Sequence, residues 1–172
     1  MNATRLLSLM AMLLLIVSVP LGLASEPAKR PAPSAPKIEG TYMLISRKLP
    51  DGTMQSPPQI LGLITYTQTY RNFNVLWKDA QGKFFSYSLV STYKLTRTEY
   101  SETVLFSILN DQIGGQEITY DLSGQTRTAR VTKKGRSLHF KLPFDPPSVV
   151  FEGNKMTATA EGRFIDVWEK VR

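Results

Sequence analysis

The side chains of this chain that could do chemistry are few and scattered. His139 is the single histidine in 172 residues and there is no cysteine. Composition therefore excludes thiolate ligation, a cysteine nucleophile and a histidine-rich zinc site, which needs three or four ligands. A serine-hydrolase triad would need a serine and an acid beside His139, and no G-x-S-x-G elbow occurs in the sequence. A glycosidase would need two carboxylates about 5–10 Å apart across a cleft. Glu99, Glu102, Glu117 and Asp121 are available, but no spacing selects a pair. Glu99 and Glu102 read as solvent-facing strand positions near a turn, and Asp79, Asp145 and Glu152 as turn residues. His139 alternates with apolar neighbours and is expected to face outward or to a rim. The expectation is a non-enzyme with no catalytic residue, metal or cofactor.

Two other sets carry more information. The aromatics Trp77, Phe85, Tyr87, Tyr93, Phe106 and Trp168 fall where they would line an apolar interior. They are the ligand-binding candidates if several converge near a mouth with a few polar groups. Arg127, Arg130, Lys133, Lys134 and Arg136 form a basic run with no acid among them. It reads either as a docking patch for an anionic envelope surface or acidic protein, or as a solvated hairpin whose charges discourage edge pairing.

The elements that must hold these residues are strands. No window from Ile38 onward sustains a period of 3.6, and short apolar runs alternate with turn signals. Strands are expected at 38–47, 60–66, 73–78, 84–95, 102–109, 116–121, 126–132, 137–142, 149–151, 156–160 and 163–171. Asp51-Gly52, Gln81-Gly82, Gly114-Gly115, Ser123-Gly124, Lys134-Gly135, Gly153-Asn154 and Glu161-Gly162 supply the hairpin turns between them. Alternation puts Phe73, Val75 and Trp77 on one face, and likewise Leu138, Phe140 and Leu142. Phe85, Tyr87, Leu89, Tyr93 and Leu95 continue that face along a long strand, with Ser91 as a small residue where a bend fits. Leu142–Pro147, with three prolines, cannot be a central strand and reads as a rigid loop or barrel lid. One apolar face and sequential hairpins favour an all-β, antiparallel up-and-down β-barrel of about eight to ten strands over a sandwich.

Residues 1–24 read as an export signal: Arg5, an apolar run from Leu6 to Leu23, a helix-breaking Pro20 and small residues at Gly22 and Ala24. A retained membrane anchor is the alternative. Residues 25–37 contain four prolines and read as a semi-rigid spacer. Residues 38–172 are then the folded domain, large enough to bury a core without disulfides. An exported chain without cysteine points to a bacterial periplasm or cell envelope. The formal charge is +7, and removal of Arg5 with the signal leaves +6. Such a charge favours anionic surfaces, while export makes nucleic acid an unexpected partner.

The stretch Lys37–Arg47 (KIEGTYMLISR) resembles the first strand of a lipocalin-like domain, where a Gly-x-aromatic motif closes the base of the barrel. Tyr70–Thr103 and Phe164–Arg172 (FIDVWEKVR) are similar to the following and closing segments of bacterial exported lipocalin-like families of unknown function. Tyr42 stands where true lipocalins carry Trp. The basic partner from the last strand falls on Arg163, Lys170 or Arg172. The resemblance implies a barrel with an apolar pocket and transfers no catalytic residue. The resulting expectation is a monomeric exported module that binds or carries a small apolar or amphipathic ligand. The alternative is an envelope interaction protein with a filled barrel and a basic docking surface.

Overall fold

The computed structural model describes residues 36–171; the expected signal and all but the last two residues of the spacer lie outside them. The described residues form strands, turns and loops and no helix. The chain runs through β1 (Gly40–Lys48), the short β2 (Met54–Gln55), β3 (Ile60–Tyr66), β4 (Tyr70–Lys78), β5 (Phe84–Leu95) and β6 (Glu99–Asp111). It continues through β7 (Thr119–Asp121), β8 (Thr126–Arg130), β9 (Thr132–Lys134), β10 (Ser137–Lys141), β11 (Ser148–Glu152), β12 (Lys155–Ala160) and β13 (Phe164–Lys170). Observed strands overlap every expected one; β4 and β6 begin three residues earlier than alternation indicated, and β2 was not foreseen.

All pairings are antiparallel. β3 to β6 and β9 to β13 meander in chain order, and β1 lies between β3 and β13. At the other side, β8 pairs with the first part of β6 and β9 pairs with β10. Only Val131 separates β8 from β9, so one nearly continuous segment bridges the two ends of the sheet. The meander thereby curls back on itself as an up-and-down barrel, which leaves few strand edges open. The later part of β6 pairs instead with β7.

Two bulges reset the alternation. In β1, Leu44 pairs with Trp168 but Ser46 with Val167, so Ile45 is the extra residue. In β6, Val104 pairs with Ser91 but Phe106 with Val90, so Leu105 is extra. An inserted residue moves every later side chain to the opposite face. Arg47 is thus turned inward and buried, while Phe106 is turned outward and exposed.

The interior has a filled end and a hollow end. Tyr42, Tyr66, Tyr93, Tyr100, Phe140 and Phe151 form a connected cluster of rings with centroids 4.6–6.3 Å apart. Tyr42 donates its hydroxyl hydrogen to the Ile38 carbonyl at 3.0 Å, which draws the entering chain across this end. Of the basic residues considered for the last strand, Lys170 lies over Tyr42, with its ammonium 5.8 Å from the ring centroid, Arg163 lines the cavity at the other end, and Arg172 lies outside the described residues. The Lys170 stem lies directly against Gly40, where a Cβ would meet its Cε.

Gly62 matters for a related reason. A Cβ there would stand 2.5 Å from the Trp168 ring and 3.0 Å from the Leu44 side chain. Both neighbours are buried, so the ring cannot swing away without disturbing the wall. Gly62→Ala is expected to destabilise the fold by about 1–3 kcal/mol through overpacking, read as a lower midpoint in urea denaturation.

Candidate functional site

The hollow end holds a cavity of about 480 Å³. Its apolar wall is built by alternation: Phe73, Val75 and Trp77 from β4, Phe85 and Tyr87 from β5, and Trp168 from β13 all point inward and line it. Trp77 and Phe85, paired across the β4–β5 ladder, stack with centroids 4.0 Å apart. The proline-rich segment 142–147 joins β10 to β11, with the Leu142 amide donating to the Pro147 carbonyl at 3.0 Å. Phe144 and Asp145 of this loop line the cavity, as do Thr119, Tyr120 and Asp121 of β7. The segment is a loop as expected, and it contributes wall.

Four of the six candidate aromatics, Trp77, Phe85, Tyr87 and Trp168, line the cavity. Tyr93 and Phe106 do not. Tyr93 belongs to the filled end, where it stacks on Tyr100 and donates to the Thr67 carbonyl. Phe106 lies on the outer wall because of the Leu105 bulge.

Buried charge is what the sequence reading missed. Arg71 has no exposed side-chain surface; its Nη1 donates to Glu102 Oε1 at 2.9 Å and its Nη2 to Asp145 Oδ2 at 2.6 Å. Ser91, expected to mark a bend, donates its hydroxyl to the same Glu102 oxygen at 2.6 Å. Glu102 is fully buried rather than on the solvent face, and Asp145 is a buried ion-pair partner rather than a plain turn residue. The reason is phase: Glu102 alternates with the buried Tyr100 and Val104, and Arg71 with Phe73 and Val75. A charged residue in register with an apolar face is the signal that identifies both.

A second pair sits nearer the mouth. Arg47 makes two parallel bonds to Asp166, Nε to Oδ1 at 2.7 Å and Nη2 to Oδ2 at 2.8 Å. Its guanidinium lies 4.6 Å from the Trp77 ring centroid and 4.1 Å from that of Phe164. Such bidentate, ring-stacked arginines are held in one orientation. Both arginines are spent on internal carboxylates, whereas Arg163, which also lines the cavity, is exposed and forms no salt bridge among the described residues.

Burial, the largest influence, pulls the Arg71 pKa down, but Glu102 and Asp145 more than reverse it and keep the guanidinium protonated. Burial raises the Asp166 carboxyl, with Arg47 offsetting part of the effect. Tyr66 and Tyr100 hydroxyls, Arg71 Nε, Glu102 Oε2 and Trp168 Nε1 are buried polar atoms without a protein hydrogen-bond partner. Groups of this kind cost about 1–3 kcal/mol each when left unpaired, so this part of the interior is polar and stability-limiting.

His139 is half-buried on β10, with Nε2 2.8 Å from Ser137 Oγ. Ser137 Oγ also lies 2.8 Å from the Lys134 carbonyl and donates to it. No hydrogen bond joins His139 to a carboxylate among the described residues. Among those residues no group of three or more His, Asp or Glu side chains is placed to hold a metal ion. Arg127, Arg130, Lys133, Lys134 and Arg136 are all exposed, and Arg127 lies over the Phe144 ring at 4.7 Å.

No protein-family model matches the chain, and no curated protein is significantly similar to it. Among solved structures it is similar to a lipocalin-like protein from Bacteroides uniformis. The two share 15% sequence identity with a TM-score of 0.34, covering 77% of this chain and 97% of that one. The barrel described above rests on the chain's own strand pairings.

Two outcomes follow from the buried groups. Arg71→Met strands Glu102 and Asp145 inside the barrel and is expected to cost about 3–5 kcal/mol in urea unfolding, with part recovered by adding Glu102→Gln. Tyr87 and Tyr93 are pushed from 10.0 up to about 12, mainly by burial, and Tyr42, Tyr66 and Tyr100 are raised for the same reason. In the unfolded chain these phenols ionise near 10.0, so their contribution is complete below that pH and is lost as pH rises toward about 12. The melting temperature should fall across that window, with the buried tyrosinates absorbing only as the fold is lost.

Proposed function

We propose that this protein binds one small amphipathic molecule in the hollow end of the barrel. The observation that carries the reading is the cavity of about 480 Å³ walled by Phe73, Trp77, Phe85 and Trp168. Pockets of roughly 300–1,000 Å³ with aromatic walls and a few fixed polar groups are the usual form of a small-molecule site. Here the polar groups are the Tyr87 and Ser107 side chains, both lining the cavity, and the Arg71–Asp145 pair at the loop. The ligand's apolar body lies along the aromatic wall and its polar end toward Asp145 and Ser107. The alternative of a filled barrel fits only the end occupied by the ring cluster. Residues 1–24 have the pattern of an export signal, which supports binding outside the cytoplasm in the cell envelope.

The chain contains two tryptophans, Trp77 and Trp168, and both line the cavity. Titration with a dansylated fatty acid or fatty amine should give a saturable, one-to-one change in their emission and a higher melting temperature. Ala158, whose side chain faces the cavity from β12, is the position at which to fill it. Ala158→Phe should weaken binding at least about tenfold by occupying the volume. Flat emission and an unshifted melting temperature across both probes would remove the proposal.

A further inference from the structure

Three arginines and four aspartates line the cavity. Arg47 is paired with Asp166 and Arg71 with Asp145, which leaves Arg163, Asp111 and Asp121. Each of these two acids is held in its own turn. Asp111 Oδ1 accepts from the Gly114 amide at 2.7 Å, and Asp121 Oδ1 from the Ser123 amide at 2.8 Å. Ser123 also holds the Asp121 carboxyl below the usual carboxylate range, and Arg127 acts in the same direction. The Arg163 guanidinium has no hydrogen bond, salt bridge or ring contact among the described residues. It is the one charged group lining the cavity that is left without a partner there.

Its place in the fold puts it on the rim. Arg163 ends the short turn between β12 and β13, its amide donating to the Ala160 carbonyl at 2.9 Å. In the β11–β12 ladder Ser148 pairs with Thr159, so this turn stands beside the 142–147 loop at the hollow end. Glu161 of the same turn is exposed, does not line the cavity and forms no salt bridge with Arg163. Asp111 and Asp121 belong to β6 and β7, which β5, β4, β3 and β1 separate from β13 in the sheet order. The unpaired cation and the two acids therefore occupy different arcs of the rim.

We infer that the ligand of this cavity is an amphipathic carboxylate whose anionic end is held at the rim by Arg163. The planar fork of a guanidinium matches the two oxygens of a carboxylate, and Arg163 has all of its side-chain donors available. An anion at the rim stays close to water while its apolar tail lies along Phe73, Trp77, Phe85 and Trp168, so charge is not carried into the aromatic interior. A cationic amphiphile would meet Arg163, and its counter-charges, Asp111 and Asp121, are engaged in their own turns. A phosphate dianion would bring a second negative charge to a rim that already holds those two acids. Ser107 and Asp145 remain as hydrogen-bonding positions for neutral polar atoms of the ligand. This assignment rests on the ligand-binding reading and adds the chemical class to it.

The test titrates the full chain with decanoate, decanol, decylamine and decyl phosphate, below the concentrations at which they form micelles, and follows Trp77 and Trp168 emission. It is run at about pH 8, where the carboxylate and the ammonium are both charged. Decanoate should bind the parent at least about tenfold more tightly than decylamine. Arg163→Gln should weaken decanoate about tenfold and leave decanol unchanged. Arg163→Lys should keep part of the preference, and Arg163→Glu should reverse it in favour of decylamine. Arg163 is exposed, so all three variants should melt with the parent, and a loss confined to decanoate then reads the contact with the carboxylate rather than the fold. Equal binding of decylamine and decanoate, or decanoate binding unchanged in Arg163→Gln, would overturn the assignment while the ligand-binding reading stands. Tighter binding of decyl phosphate than of decanoate would overturn the choice of a carboxylate. If none of the four probes binds, the ligand-binding reading falls and the carboxylate assignment falls with it.

Discussion

The Arg71 guanidinium, without solvent access and shared by Glu102 and Asp145, is the constraint on which the hollow half of this barrel depends. Taking a charge out of water is costly, and the pairing compensates only while the geometry holds. That requirement links three parts of the chain: β4, β6 and the loop between β10 and β11. It places the loop against the interior and thereby creates one wall of the cavity. Ser91 adds a third connection, from β5, to the same Glu102 oxygen. This buried ion-pair network and the boundary of the candidate site are therefore the same structure.

The bulges are the second determinant. A regular ladder would leave Arg47 outside and Phe106 inside; the extra residues Ile45 and Leu105 exchange those outcomes. Arg47 then finds Asp166 and two aromatic faces in the interior. Phe106 joins the apolar outer wall beside β7. Each bulge also lets a long strand coil, as closure of a meander requires. Strand curvature, an internal ion pair and an exposed apolar surface thus share a common geometric cause.

The division between a ring-filled end and a hollow end follows from side-chain size. Six tyrosine and phenylalanine rings pack edge-on or stacked at one end, an arrangement that fills volume with favourable ring geometry. Toward the other end the inward positions of β12 carry Ala158 and Ala160, which leave space that the Trp77, Phe85 and Trp168 rings bound but do not fill. Rigidity in one half allows the other half to remain open.

Strand positions, hairpin turns and the inward faces of β4, β5 and β10 were legible in the sequence because each depends on neighbours two residues apart. Phe73, Val75, Trp77, Leu138, Phe140 and Leu142 needed nothing more than alternation and the cost of exposing apolar surface. Arg71 lies before the strand that alternation marked from Phe73, and Glu102 at the start of its expected strand read as solvent-facing; a lone charge beside an apolar register gives no indication of the partner that makes its burial tolerable. Arg71 and Asp145 are separated by 74 positions, and Arg47 and Asp166 by 119. Local sequence determined which residues alternate and where the chain turns. Only the tertiary structure decided which charges meet, where a bulge reverses a face and how much of the interior stays empty, because those outcomes depend on distances between segments remote along the chain.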